Sequence, residues 1–454
     1  MRPAGRPADP DRVAGLRRTG HGDLRRSAGG PGGRQDGGGD AVTSRRAVLG
    51  GALGAVVAGA AGCGGTERPV QVAVVWSGGE LIRFREVVRR YPRPVDVVST
   101  RTDVDAFLSA RYRAGNQPDV AIVPQISLIA DYARRGWLQP VPAEVTQRFA
   151  DRWRAMLTVD GRQYGAWVKA AHKSLVWYSP DRLPAPPATW AEFVSLVAEL
   201  AAAGRPAPLA IGAADGWVLT DWLENLLIGF AADGEYQGLV DGGEPWDGPL
   251  VRTALTELAA VWAIPGAFPD GIARALITQH EESVIQVAEG RAAMVIEGDF
   301  VAGVADRFRP AGAAPLAAAR FPAGPKAEPL LVAGDAAMVF AGSRAGGELV
   351  EWLTRRASFQ PWIAAGGYLS PNTLITPEAY GPAAARAAEL TDAEGAPQFD
   401  LSDQLPGSLG GPDGLGSWKI LQDFLAEVTR PDAVDRACRR LVRAAAQARR
   451  EVGS

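Results

Sequence analysis

PDVAIVPQISLIADYARRG, residues 118–136, decides the fold. It opens on a short strand, PDVAIV (118–123), and ISLIADYARRG (126–136) then reads as a helix stopped by Gly136. The same alternation precedes it. VQVAVVW (70–76) is an apolar run fit for a buried strand, and LIRFREVVRRY (81–91) has helical spacing. VDVVST (95–100) is strand-like, and DVDAFLSARYRAG (103–115) reads as a helix ending near Gly115. This β-α-β-α rhythm implies an α/β domain with a mostly parallel sheet, since parallel strands need a crossover helix between them.

A second α/β section follows. Thr189-Trp190-Ala191-Glu192 is a capping box that opens a helix through about Leu200. PLAIGA (208–213) is strand-like. In GWVLTDWLENLL (216–227) a helix starts near Thr220. Leu223, Leu226, Leu227 and Phe230 share one buried face, and Asp221 and Glu224 lie on the other side, complementing the helix dipole. The chain is mostly helical over 248–290. AAMVIEG (292–298) and LLVAGDAAMVF (330–340) read as strands, and helices follow at 346–357 and 416–449. A Pro/Ala-rich connector, 310–329, falls where a crossing between lobes is expected. At 454 residues the chain exceeds one ordinary core. A sheet region that recurs after a long excursion implies two lobes joined by several crossings, a topology that builds a cleft.

Residues 1–40 carry no aromatic side chain and are expected to be disordered, with Val42 a possible alternative start. Ser44-Arg45-Arg46 then precedes an apolar run at 47–62. That run is shorter than the roughly 20 residues of a spanning helix, so it reads as a twin-arginine type signal peptide. Ala60-Ala61-Gly62-Cys63 resembles a bacterial lipobox, although Ala60 stands where Leu is usual, and Cys63 is the expected lipidation site. Residues 1–62 form the leader and 63–69 a linker. Removing the leader takes ten Arg and five Asp from a chain of net charge −3, leaving −8. That acidity argues against nucleic acid or anionic lipid as ligand. Cys438 is then the last cysteine, so no disulfide is expected.

The chemistry that is missing narrows the function. The chain has three His and neither an HExxH motif nor paired CxxC, so no metal site is expected. GxSxG, GxxxxGK[ST] and a strand-borne GxGxxG are absent as well. Only a carboxylate pair is left as hydrolytic machinery.

Eight segments, in order over 70–430, resemble the substrate-binding lipoproteins of bacterial sugar ABC importers, the extracellular solute-binding family that includes maltodextrin-binding proteins. They are VVWSGGE (74–80), AGNQPDVAIVPQISLIADYARRGWLQPV (114–141), VKAAHKSLVWYSPDRL (168–183), PATWAEF (187–193), GWVLTDWLENLL, EGRAAMVIEGDF (289–300), GGYLSPN (366–372) and FDLSDQLPGSLGG (399–411), with Trp418 beyond. The alpha-glucoside-binding type looks most similar. The resemblance implies a two-lobed, periplasmic-binding-protein-like α/β fold with an interlobe ligand cleft and several hinge crossings. The N-lobe would be 70–170 plus 330–370, and the C-lobe 171–329 plus 371–454.

Mapped onto this chain, the resemblance places Trp76 and Glu80 at the cleft and Gln125 at its rim. His172 stands where maltodextrin binders carry an acid. Asp215 and Trp217 match a carboxylate-plus-aromatic pair, and Phe300 matches a stacking tryptophan with Glu297 and Asp299 beside it. Trp418 matches another stacking tryptophan. Asp221 and Trp222 belong to the alpha-glucoside-type signature, and Trp222 is equally a candidate for simple core packing. Asp335 and Asp403 sit in signature segments as ligand contacts or hinge supports. Lys169 and Lys173 are candidates to pair with acids across the hinge, or to form ordinary surface pairs.

These residue types suit a sugar. An indole covers the apolar C–H face of a pyranose with little loss of entropy, and a carboxylate accepts its hydroxyls. The leading expectation is a monomeric binding protein without cofactor or enzyme activity. It would be exported and held at the membrane only through lipid on Cys63. It would close on a small neutral carbohydrate (an alpha-glucoside, a disaccharide or a glucosylated polyol) and deliver it to an ABC permease. The alternatives are a secreted glycoside hydrolase using two of Asp215, Asp221, Glu297 and Asp299, and a binder of a peptide or polyamine.

Overall fold

The computed structural model describes residues 68–100, 103–204, 206–391, 397–412 and 415–452. The leader and Cys63 lie outside the described residues. No helix among the described residues is long and apolar enough to cross a membrane.

The opening stretch forms a fully buried strand, Val120–Val123, and a helix, Ile126–Arg134. Val70–Val74 pairs in parallel with this strand and with Val95–Ser99. Leu331–Phe340 runs antiparallel on the other side of Val120–Val123 and also pairs with Leu138–Gln139 and Ala166–His172. Gln398–Phe399 completes the seven-stranded sheet. A second sheet of four strands has the order Ala317–Arg320, Leu175–Tyr178, Ala292–Ile296, Ala207–Ala210. Its first three strands are antiparallel and its last pair parallel.

Each sheet has its own apolar core, and the chain passes between the two cores three times. Ala170 lies in the first core and Leu175 on the second sheet; Leu330 and Val332 belong to the first core and Leu331 to the second; Phe399 belongs to the first and Leu401 to the second. The architecture is two α/β lobes on a triple hinge.

Some elements differ from the sequence reading. The connector expected over 310–329 holds a strand, Ala317–Arg320, because its small side chains fit an edge against Leu175–Tyr178. The helix expected over 416–449 is two, Ser417–Glu427 and Ala433–Val452, broken around Pro431. Residues 371–399, placed by sequence in the second lobe, supply Ile375, Tyr380, Ala387, Leu390 and Phe399 to the first core. The reason is aromatic packing: Phe399 meets Trp167 and Trp153 at 5.4 and 6.0 Å, and Trp153 Nε1–H donates to Leu390 O.

Candidate functional site

The three crossings are bound to one another. Lys173 N–H donates to Leu331 O at 2.8 Å, Leu331 N–H to Ser174 Oγ at 2.7 Å, and Asp400 N–H to Val332 O at 2.8 Å. The buried Lys173 ammonium donates to Asp221 Oδ1 at 2.8 Å and to Asp400 Oδ2 at 2.6 Å. Burial alone would lower the lysine pKa, but the two carboxylates outweigh it and hold the ammonium well above its usual value. One cation cannot serve two buried acids equally. Asp400 is held low despite burial, because Lys173, Ser402 Oγ and the Asp403 N–H all bond to it. Asp221 is pushed by burial up to about 7, with Lys173 opposing and Asp400 adding to the rise. Burial and the Asp400 charge push Asp403 well above the carboxylate range.

Several expected ligand contacts therefore serve the framework instead. Asp221 and Glu224 do not face solvent, because helix Trp217–Phe230 is buried from Val218 to Gly229. Glu224 accepts from Tyr236 Oη and from the Leu401 and Ser402 amides. Asp403 packs beside Asp400 at the third crossing. Trp222 is fully buried against Phe193 and Trp262. His172 is also fully buried: its Nδ1 accepts from Ser174 N–H at 3.3 Å, and Nε2 lies 2.7 Å from Glu389 Oε2. Its backbone N–H donates to Asp299 Oδ1 at 2.7 Å. Trp76 is buried edge-on against Phe84 and Trp362, with Nε1–H donating to Asp335 Oδ2.

A second group remains partly open, around rings that are mostly but not fully buried. Trp217 lies 5.9 Å from Phe300 and 5.3 Å from His280, centroid to centroid, and His280 lies 6.5 Å from Phe300. Trp418 packs onto Gly216, where φ is +63° and a Cβ would stand 2.7 Å from Trp418 Cβ. Only glycine allows that turn and that approach together. The Lys173 ammonium sits 5.3 Å from the Trp217 ring centre, and the Lys169 ammonium 4.8 Å from that of Phe300. Lys169 is buried and pairs with Glu80 Oε1 at 2.9 Å. Glu80, Asp335 and Asp299 keep its pKa raised against burial. Burial raises Asp335 to about 6, although Lys169 opposes it, and raises Asp299 in the same way.

The acids beside the rings differ sharply. Asp215 Oδ2 accepts from His280 N–H at 2.7 Å and lies 3.2 Å from His280 Nδ1. Burial would raise this carboxyl, but those bonds hold it below the usual range. Glu297 is fully buried, and neither of its oxygens has a hydrogen-bond partner. Burial pushes it up to about 8, with the His280 charge opposing. Gln125, at the start of the Ile126–Arg134 helix, likewise has a buried, unpaired Oε1. Such orphaned groups are rare in folded proteins and mark places where a ligand or water supplies the partner. No cluster of three or more metal-ligating side chains occurs among the described residues.

Sequence reasoning did not assign His280 or Asp400 a role, and it rated Lys169 and Lys173 no more than equal candidates for surface pairs. Scarcity was the available signal: four lysines in the chain, and two histidines after the leader.

A family model for bacterial extracellular solute-binding proteins matches residues 103–358. The osmoprotective compounds-binding protein GgtB of Synechocystis sp. is 30% identical over 373 residues, 77% of this chain and 88% of that protein. The alpha-glucosides-binding periplasmic protein AglE of Rhizobium meliloti is 28% identical over 399 residues, 79% of this chain and 83% of that one. Among solved structures, the bacterial solute receptor AcbH, described as preferring b-D-galactopyranose exclusively, superposes with a TM-score of 0.70 at 16% identity, covering 84% of this chain and 98% of its own. That likeness carries the two-lobed fold. The chain belongs to the bacterial extracellular solute-binding protein family.

Proposed function

We propose that the chain is the solute-capturing component of an ABC importer and that its ligand is a small neutral carbohydrate: an alpha-glucoside, a disaccharide or a glucosylated polyol. The ligand lies between the rings of Trp217, Phe300 and Trp418, with Asp215, Glu297, Glu80 and Gln125 as polar contacts. It bridges both lobes and favours the closed state by its differential affinity. The closed form then presents the sugar to a membrane permease. The protein is exported as a monomer, held at the membrane by lipid on Cys63.

One observation carries this reading. Partly buried aromatic rings stand beside a buried carboxyl with both oxygens unpaired. That combination suits an uncharged guest with apolar faces and hydroxyl donors. The names of GgtB and AglE point to compatible ligands. A glycosidase would need a second carboxyl beside Glu297, and two of the candidates, Asp221 and Asp299, are engaged by the Lys173 ammonium and the His172 amide.

Thermal-shift screening against sugars, peptides and polyamines tests the proposal. A sugar at about 100 times its dissociation constant adds roughly 2.7 kcal/mol of stability. A shift with peptides or polyamines and none with any sugar overturns the ligand class. Release of nitrophenol from aryl-glucosides by the purified protein overturns the non-enzyme reading.

A further inference from the structure

We infer that His280 is a specificity-determining residue of the cleft: together with Glu297 it forms a donor–acceptor pair that reads two neighbouring hydroxyls of the ligand. The inference rests on the carbohydrate reading above and deepens it by naming the groups that tell a polyhydroxylated guest from a cationic one.

His280 opens the His280–Ala288 helix. Its backbone N–H and its Nδ1 both meet Asp215 Oδ2, at 2.7 and 3.2 Å. These two contacts fix the ring beside both Trp217 and Phe300, which themselves lie 5.9 Å apart. Nδ1 is thereby committed to Asp215, whereas Nε2 has no hydrogen-bond partner among the described residues. The Glu297 carboxyl is buried nearby, close enough for its charge and that of His280 to act on each other. One partly exposed nitrogen without a protein partner and one buried carboxyl with both oxygens unpaired thus lie within electrostatic reach of each other. A hydroxyl both donates and accepts, so one can donate to Glu297 while its neighbour accepts from Nε2–H.

The charge state of His280 suits this role. The charged groups acting on the imidazole are Asp215, Glu297 and Glu80. Burial opposes protonation, but the Asp215 hydrogen bond and these charges outweigh it and raise the pKa to about 9. Nε2 is therefore a donor throughout the neutral range and becomes an acceptor above it.

A cationic guest is excluded by the same neighbours. A quaternary ammonium ligand needs open aromatic faces. Here the Lys173 and Lys169 ammonium groups lie 5.3 and 4.8 Å from the Trp217 and Phe300 ring centres, and the His280 ring stands beside both rings. A further cation there meets like charge, whereas a hydroxyl meets the His280 Nε2 and the Glu297 carboxyl.

The test is calorimetric titration of wild type, His280→Ala, His280→Gln and Glu297→Gln with sucrose, trehalose, maltose and methyl alpha-glucoside, with choline as the cation and glycine betaine as a zwitterion. Monodeoxy analogues of the tightest sugar follow, and circular dichroism melts check each fold. The expected loss of affinity is about tenfold or more in His280→Ala. The deoxy analogue lacking the recognised hydroxyl should bind wild type about tenfold more weakly, yet lose less than about threefold further on His280→Ala. His280→Gln, whose amide still donates, should recover part of the affinity. If His280→Ala does not fold, the deoxy-analogue penalties measured on His280→Gln decide the matter: the analogue lacking the recognised hydroxyl should lose less on His280→Gln than on wild type. Sugar binding with the same deoxy penalties in every variant overturns the inference and leaves the carbohydrate reading standing. Binding of choline or glycine betaine with no response to any sugar, or no response to any sugar at all, overturns both.

Discussion

The backbone N–H of Gly79 donates across the cleft to Glu281 Oε1, 3.4 Å away. Gly79 lies in the first turn of the Gly78–Val88 helix, on the side of the seven-stranded sheet, and Glu281 lies at the start of the His280–Ala288 helix on the other lobe. Ser77 makes no side-chain cap for its own helix, so a carboxylate from the opposite lobe complements that helix end. Gly78 has φ of +50°, and a Cβ there would stand 2.5 Å from Glu281 Oε1. This contact joins the lobes without using the ligand. Glu281→Gln is expected to weaken ligand binding by about two- to fivefold. Gly78→Ala should weaken it more, since it adds backbone strain and a clash. Calorimetry together with small-angle scattering reads both affinity and closure. Unchanged affinity in both variants would remove this contact from the closing mechanism.

Glu297 couples binding to stability with opposite signs. Its folded pKa of about 8 exceeds the ordinary 4.5, so the folded state holds the proton more tightly than the unfolded chain does. The resulting stabilisation is complete below about pH 4.5 and is lost as pH rises through about 8. Glu297→Gln removes that loss. The variant should be more stable than wild type at pH 8 by roughly 4 kcal/mol, with the advantage shrinking toward pH 4.5, while its sugar affinity falls. Melting curves across that range provide the check; a variant that melts below wild type at pH 8 contradicts the account.

Lys173 is expected to be the most sensitive charge in the hinge. Lys173→Met keeps most of the volume but leaves Asp221 and Asp400 without their cation, at a cost of about 3–5 kcal/mol. Adding Asp400→Asn should recover part of it. Urea unfolding of the single and double variants measures both effects, and a near-neutral single variant would show that the hinge holds without the ion pair.

The two tryptophans of GWVLTDWLENLL should separate cleanly. Trp222→Ala empties a fully buried site and is expected to cost about 3–5 kcal/mol of stability. Trp217→Ala removes a partly buried ring at the edge of the core and should cost less stability than Trp222→Ala but about tenfold in sugar affinity. Denaturation and calorimetry on the pair test this division; equal stability losses would place Trp217 in the core.

Much of the framework was legible because it depends on local periodicity. The strands at Val70–Val74, Val95–Ser99 and Val120–Val123 and their helices follow from runs of apolar residues and helical spacing. Of the expected Thr189–Glu192 capping box the N-cap half forms, with Glu192 N–H donating to Thr189 Oγ1, while the Glu192 carboxylate accepts from the Thr189 hydroxyl instead of its backbone N–H. The edge strand Ala317–Arg320 escaped notice because alanines carry little strand signal; its pairing with Leu175–Tyr178 makes it a strand.

The candidate site was legible in its residue types but not in its division of labour. Asp215, Asp221, Glu297 and Asp299 look alike in sequence, yet one holds His280, one holds Lys173, one has no partner and one receives the His172 amide. The sequence by itself determined the alternation of elements and the two-lobed class, because these depend on spacing along the chain, and its resemblance to the solute-binding family supplied the short list of rings and acids. The tertiary structure alone decided which acids are neutralised, which rings stay open and where the third crossing lies. Those outcomes depend on what distant segments bring within hydrogen-bonding range, and on the low-dielectric surroundings in which one buried lysine must choose its partners.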